Sequence, residues 1–218
     1  MFFYQLLLDG GAVMWLIVIA ALIASAVFVI KTFQFHREEI NAHELINGLE
    51  NVLKRDGFVE AISLCDNTPG PVARVVGSAI LAFQRGDKDL QQAVDAACLE
   101  EVPRLERYVG LIGTVGYIAP LLGFFGTILG MMEAFQTIHQ TQSVYLSAGQ
   151  LSGAVHKALI TTAAGLAVAI PCYVAYNYLT SRIHTLALDI ELASTEMLGF
   201  FERRRGEKGD QHPAALGF

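Results

Sequence analysis

Between positions 108 and 182 the chain carries one acidic side chain, Glu133, and only one basic side chain before its last residue, Lys157. Residues 109–132 and 158–181 are uncharged apolar runs. Each is longer than the roughly 20 helical residues needed to cross a bilayer. A backbone without water must close its own hydrogen bonds, and a single run does so only as a helix. A Ser/Gln-rich stretch over about 141–153 separates the runs. The segment therefore reads as an antiparallel transmembrane hairpin.

Its small-residue content distinguishes this hairpin from an inert anchor. Gly113, Gly116, Pro120, Gly123, Thr127 and Gly130 recur at steps of three and four, with Gly126 beside them. At about 100° per residue these form one stripe. Ala154, Ala158, Thr161, Thr162, Gly165, Ala169 and Cys172 form a comparable stripe on the second helix, adjoined by Pro171. Small residues let helix backbones approach closely in lipid. Plain helix packing explains the glycines as well as any function does, but it accounts less well for the threonines. In an antiparallel pair, residues equidistant from the turn lie at equal depth. Thr127 and Thr162 are therefore level, as are Glu133 and Lys157, and the charges lie roughly 8–9 Å nearer the turn by helical rise.

The remaining chain supports a membrane protein with a modest soluble part. Mean hydropathy is +0.44, and 53% of residues are hydrophobic. Residues 12–30 form a first spanning candidate. They lack the basic n-region of a cleaved leader, so a retained helix is expected. Of the 15 Lys and Arg residues, 14 lie between Lys31 and Arg107 or from Arg182 onward, which predicts an outer N-terminus and a cytoplasmic C-terminus. Four segments follow: residues 1–35 (outer N-terminus and first span), 36–107 (a small cytoplasmic helical domain), 108–182 (the hairpin) and 183–218 (a cytoplasmic helix and flexible tail). The fold class is an all-α integral membrane protein whose three transmembrane helices extend into the cytoplasm.

Within 36–107, helices are expected over about 38–55 (Ile40, Leu45, Ile46, Leu49, Val52 and Leu53 inward), 58–65 and 72–85. A fourth is expected from about residue 88, capped by Asp87 and continuing through Pro103 into the membrane. Ile183, Leu186, Ile190, Ala193, Met197 and Phe200 give residues 182–203 an apolar face. The tail from 206 is expected to be disordered, and Arg203–Arg205 reads as a topology or lipid-headgroup feature. No P-loop, metal-ligand spacing or catalytic cluster is present, and Cys65, Cys98 and Cys172 are too scattered for a disulfide or zinc site. No enzyme, cofactor, metal site or nucleic-acid contact is expected.

Two stretches, IAPLLGFFGTILGMMEAF (118–135) and GAVHKALITTAAGLAVAIPCYVAYNY (153–178), resemble the signature helices of the MotA/TolQ/ExbB proton-channel family. Three spans and a cytoplasmic loop of about seventy residues place the resemblance nearer the TolQ/ExbB branch. It implies a multi-pass inner-membrane subunit that forms a ring, typically a pentamer, around a dimer of a single-span ExbD/TolR-type partner. That partner supplies an essential Asp, and the ring supplies facing hydroxyls. The matching hydroxyls are Thr127 and Thr162, with Thr161 beside them. The resemblance also implies coupling of proton-motive force to work in the envelope, with a periplasm-spanning TonB/TolA-like effector among its partners. The family glutamate is replaced by Lys157, which either pairs with Glu133 at the outer mouth or snorkels to the surface. A static scaffold is the alternative reading. A small-solute transporter is disfavoured, because the sequence shows no inverted repeat.

Overall fold

A computed structural model describes residues 11–38, 42–87, 89–141 and 148–210. Within them the chain forms seven α-helices and no strand: α1 (Gly11–Glu38), α2 (Ala42–Leu53), α3 (Phe58–Asn67), α4 (Pro71–Arg85), α5 (Leu90–Glu106), α6 (Val109–Thr141) and α7 (Ala148–Asp210). The three longest, α1, α6 and α7, carry stretches long and apolar enough to cross a membrane. The all-α membrane fold expected from the sequence is the one observed.

Two compact units divide the chain. One joins the described part of Met1–Lys31 to Tyr108–Leu179 and so holds most of α1, all of α6 and the first half of α7. The other joins Thr32–Arg107 to the described part of Thr180–Phe218. In this second unit α4 packs on both α3 and α5. Leu49, Leu53, Val75, Val76, Ile80, Leu105, Ile190, Met197 and Phe201 fill its core. All six residues expected on the apolar face beyond Arg182 are buried, Ile183 through Phe200. On α2, Ile46, Leu49 and Leu53 are buried while Leu45 and Val52 are half-buried; Ile40 lies outside the described residues. Burial, aided by the negative charge of Asp66, pushes the Cys65 thiol up to about 11, so it stays neutral and packs as an apolar group beside Gly77.

Several local expectations are corrected. The cap of α5 is Asp89, whose carboxylate accepts from Gln92 N at 3.1 Å, not Asp87. Asp87 instead follows Gly86, whose φ of 79° ends α4 in the left-handed region that glycine adopts without penalty. Helix α5 does continue through Pro103, as expected. It stops at Glu106, and Tyr108, at φ 70°, breaks the backbone before α6 begins. At the other end of the hairpin, α7 starts at Ala148, shortening the expected turn. The tail is helical as far as Asp210.

The basic cluster also has a structural role that the sequence reading missed. The Arg204 guanidinium donates to the Leu53 carbonyl and the Asp56 carboxylate, and it lies 5.4 Å from the Phe58 ring centroid. Arg205 donates to the Asp87 carbonyl at 2.6 Å. A cation on the last carbonyl of α2 meets the negative end of the helix dipole. Beneath it, Phe58, Phe83 and Phe201 stack at 5.9 and 4.4 Å. Arg204 and Arg205 thus fasten the end of α7 to the turns after α2 and α4.

Candidate functional site

Glycines bring α6 and α7 almost into backbone contact. A Cβ on Gly165 would lie 2.5 Å from the Ala119 carbonyl oxygen and 3.0 Å from the Gly123 Cα. One on Gly123 would lie 2.9 Å from the Thr161 carbonyl oxygen, and one on Gly130 would lie 2.9 Å from the Ala158 Cβ. Neither position has room for a side chain without parting the helices. Gly126 is covered by the Thr161 side chain, whose Oγ1 would lie 2.6 Å from an added Cβ. The small stripes on the two helices therefore face each other within one chain.

At the centre of this contact lie four oxygens. The Thr127 and Thr162 hydroxyls bond to each other across the interface. Each is also 3.3 Å from both the Gly123 and the Ala158 carbonyl oxygen. Both carbonyls sit inside helices, where intrahelical N–H groups already bond to them. Three hydroxyl protons, counting that of Thr161 on the Ala158 carbonyl, therefore serve more acceptor sites than they can fill. Both threonines are half-buried. The result is an acceptor-rich point suited to a cation or a water that donates hydrogen bonds.

Other predicted positions are more dispersed. Thr161, expected among the pathway hydroxyls, is only 2% exposed and donates to the Ala158 carbonyl at 2.8 Å. It fills space over Gly126 and reaches the threonine pair only through that shared carbonyl. Ala158 and Ala169 are buried in the interface, while Pro120 is half-buried. Gly116 abuts Tyr173 and Cys172. Pro171 is exposed and lines an apolar groove of about 800 Å³ with Ala21, Ala24 and Phe28 of α1 and Ile112 of α6. Lys157 Nζ donates to Glu133 Oε2 at 2.8 Å within the chain, with the lysine side chain 36% and the glutamate side chain 59% exposed.

One cluster went unread in the sequence. Tyr176 covers Gly113, Tyr173 covers Gly116, and Tyr173 meets Tyr117 edge-on at 5.2 Å between ring centroids. Gly113 with Tyr176, and Gly116 with Tyr173, share the sequence midpoint of Thr127 and Thr162. The depth rule that levelled the threonines would have found them.

Comparison with known proteins gives a consistent result. The model of the MotA/TolQ/ExbB proton channel family matches residues 69–192, more than half of the chain. A protein of Methanothermobacter thermautotrophicus named as an ExbB homolog is 26% identical over 84% of this chain. The Tol-Pal system protein TolQ of Haemophilus influenzae is 28% identical over 84%, and the biopolymer transport protein ExbB of Pseudomonas putida is 28% identical over 90%. The match spans 65%, 80% and 61% of those relatives' respective lengths, so in two of the three more than a third of the relative lies outside it.

Proposed function

The chain belongs to the MotA/TolQ/ExbB proton channel family, and we propose that it is the ring-forming ion-channel subunit of an inner-membrane motor driven by an ion gradient. In this reading several copies, five by resemblance, surround a dimer of a single-span ExbD/TolR-type partner, with the N-terminus outside and the C-terminus in the cytoplasm. The observation that carries it is the four-oxygen cluster of Thr127, Thr162 and the Gly123 and Ala158 carbonyls. These oxygens offer a passing cation acceptors but no titrating group. The protonatable carboxylate must come from elsewhere, and the partner's Asp supplies it. One charge moving down the membrane potential releases about 2.3 kcal/mol per 100 mV. That energy does work only if it changes which packing of subunit against partner is preferred. The Glu133–Lys157 pair sits toward the outer mouth of the path, where it sets the local charge. Lipids fill the groove beside Pro171, and a TonB/TolA-like effector receives the work.

The static-scaffold reading draws on the same bonds, since hydroxyls spent between two helices hold a hairpin together whatever passes by. The two readings separate in Thr127→Val and Thr162→Val, which keep shape and remove the hydroxyl. Expressed with the partner, each variant should assemble normally and lose most ion-coupled uptake into vesicles. Full uptake in both variants would favour the scaffold.

A further inference from the structure

The cytoplasmic half of the hairpin carries exposed polar side chains that lipid does not explain. Tyr117, Tyr173 and Asn177 are exposed. Among the described residues none bonds to the Asn177 amide. On α7, Tyr173 and Asn177 lie about 20° and 60° around the helix from Thr162, and Tyr117 touches Tyr173 from α6. The tyrosines sit roughly 14 Å above Arg182 by helical rise, near the middle of a hydrocarbon core about 30 Å thick and too deep for an interfacial aromatic belt. An amide facing hydrocarbon without a partner costs free energy that a surface in contact with water does not. Between the two polar levels the same face of α7 carries an exposed Leu166.

We infer that Tyr117, Tyr173 and Asn177 line a water-filled vestibule forming the cytoplasmic exit of the ion path. An apolar collar at Leu166 separates it from the threonine cluster. This rests on the reading of the threonines as the path. Phenols and an amide order water through their hydrogen bonds, so the vestibule hydrates the departing ion. A narrow apolar collar sheds water and limits leak until the partner moves.

The test uses the full-length chain with Cys65→Ala, Cys98→Ala and Cys172→Ala as background, co-expressed with its partner. Single cysteines are placed as Asn177→Cys, Tyr173→Cys, Leu166→Cys and, off the face, Val174→Cys. A membrane-impermeant cationic methanethiosulfonate is added to the cytoplasmic side of inverted vesicles. Such reagents need a thiolate, which forms readily in water and poorly in hydrocarbon, so Asn177→Cys and Tyr173→Cys should react about tenfold or more faster than Leu166→Cys and Val174→Cys. Modification at either fast site should also lower ion uptake. Equal slow labelling at all four sites overturns the vestibule. Fast labelling that leaves uptake unchanged overturns its place on the path. The labelling does not depend on the threonines, so failure of the threonine variants to lose uptake is read separately from failure of the vestibule.

Discussion

At the scale of single residues, the charge of Lys157 is compensated within the chain. A lysine at the centre of a membrane helix costs about 2.5–3.5 kcal/mol on insertion scales. Lys157 lies nearer an end and is one-third exposed, so its cost is smaller, and a 2.8 Å bond to Glu133 offsets part of it. Both groups keep solvent access, and pairs of that kind contribute about 0.2–1 kcal/mol. Glu133→Gln and Lys157→Gln should each lower the detergent melting temperature, and the double variant should lose less than the two singles together. Additive losses would mean that the lysine reaches the surface independently of Glu133. The sequence could place these two side chains at one depth, because depth depends only on distance from the turn. It could not choose between a bond inside one chain and a bond between copies, because that depends on how α6 is rotated about its own axis.

At the scale of elements, the glycine stripe has a definite partner. Adding a methyl at Gly165 drives it into the Ala119 carbonyl and the Gly123 backbone, neither of which can swing aside. Overpacking of this kind costs about 1–3 kcal/mol. Gly153, also helical, has nothing within 4 Å of an added Cβ, so alanine there should gain up to about 1 kcal/mol from helix propensity. Unfolding of the two variants in mixed micelles should therefore shift in opposite directions. A Gly165→Ala variant as stable as the parent would mean that the hairpin is looser than described. The three spans, the apolar face beyond Arg182 and the level threonines were legible because each rests on a period or a distance along the chain. What the sequence hid depends on local competition or on long-range partners. Asp87 and Asp89 are equally good caps on composition, and Gly86 decides between them by ending α4 first. Arg204 reads as a surface charge until Asp56 and the end of α2, some 150 positions away, are brought against it. Thr161 sits on the predicted stripe but is rotated far enough from Thr162 to be buried over Gly126.

At the scale of the whole molecule, the basis for expecting a ring has moved. In the sequence, small faces can pack between copies as readily as within one. In the structure those faces are closed against each other within one chain, so they hold the hairpin and leave little for a neighbour. Beyond Arg182 the open face is mostly polar but holds two large apolar side chains among the described residues. On α7, Leu188 and Leu192 are 47% and 61% exposed, one helical turn apart, while Ile190 and Ala193 of the same helix are buried. Covering a leucine removes about 1.5–3 kcal/mol of unfavourable hydration, a strong incentive to associate when several copies share the bilayer. Leu188→Glu together with Leu192→Glu should leave helicity and the thermal unfolding of the hairpin unchanged, since neither side chain belongs to a core. The same variant should shift native mass spectra in mild detergent from the oligomer toward monomer. Gly165→Ala should do the reverse, weakening the hairpin before it weakens assembly. An unchanged oligomer in the double glutamate variant would place the subunit contacts within the membrane spans, where Leu121, Phe124 and Ile170 are among the large exposed side chains that could make them.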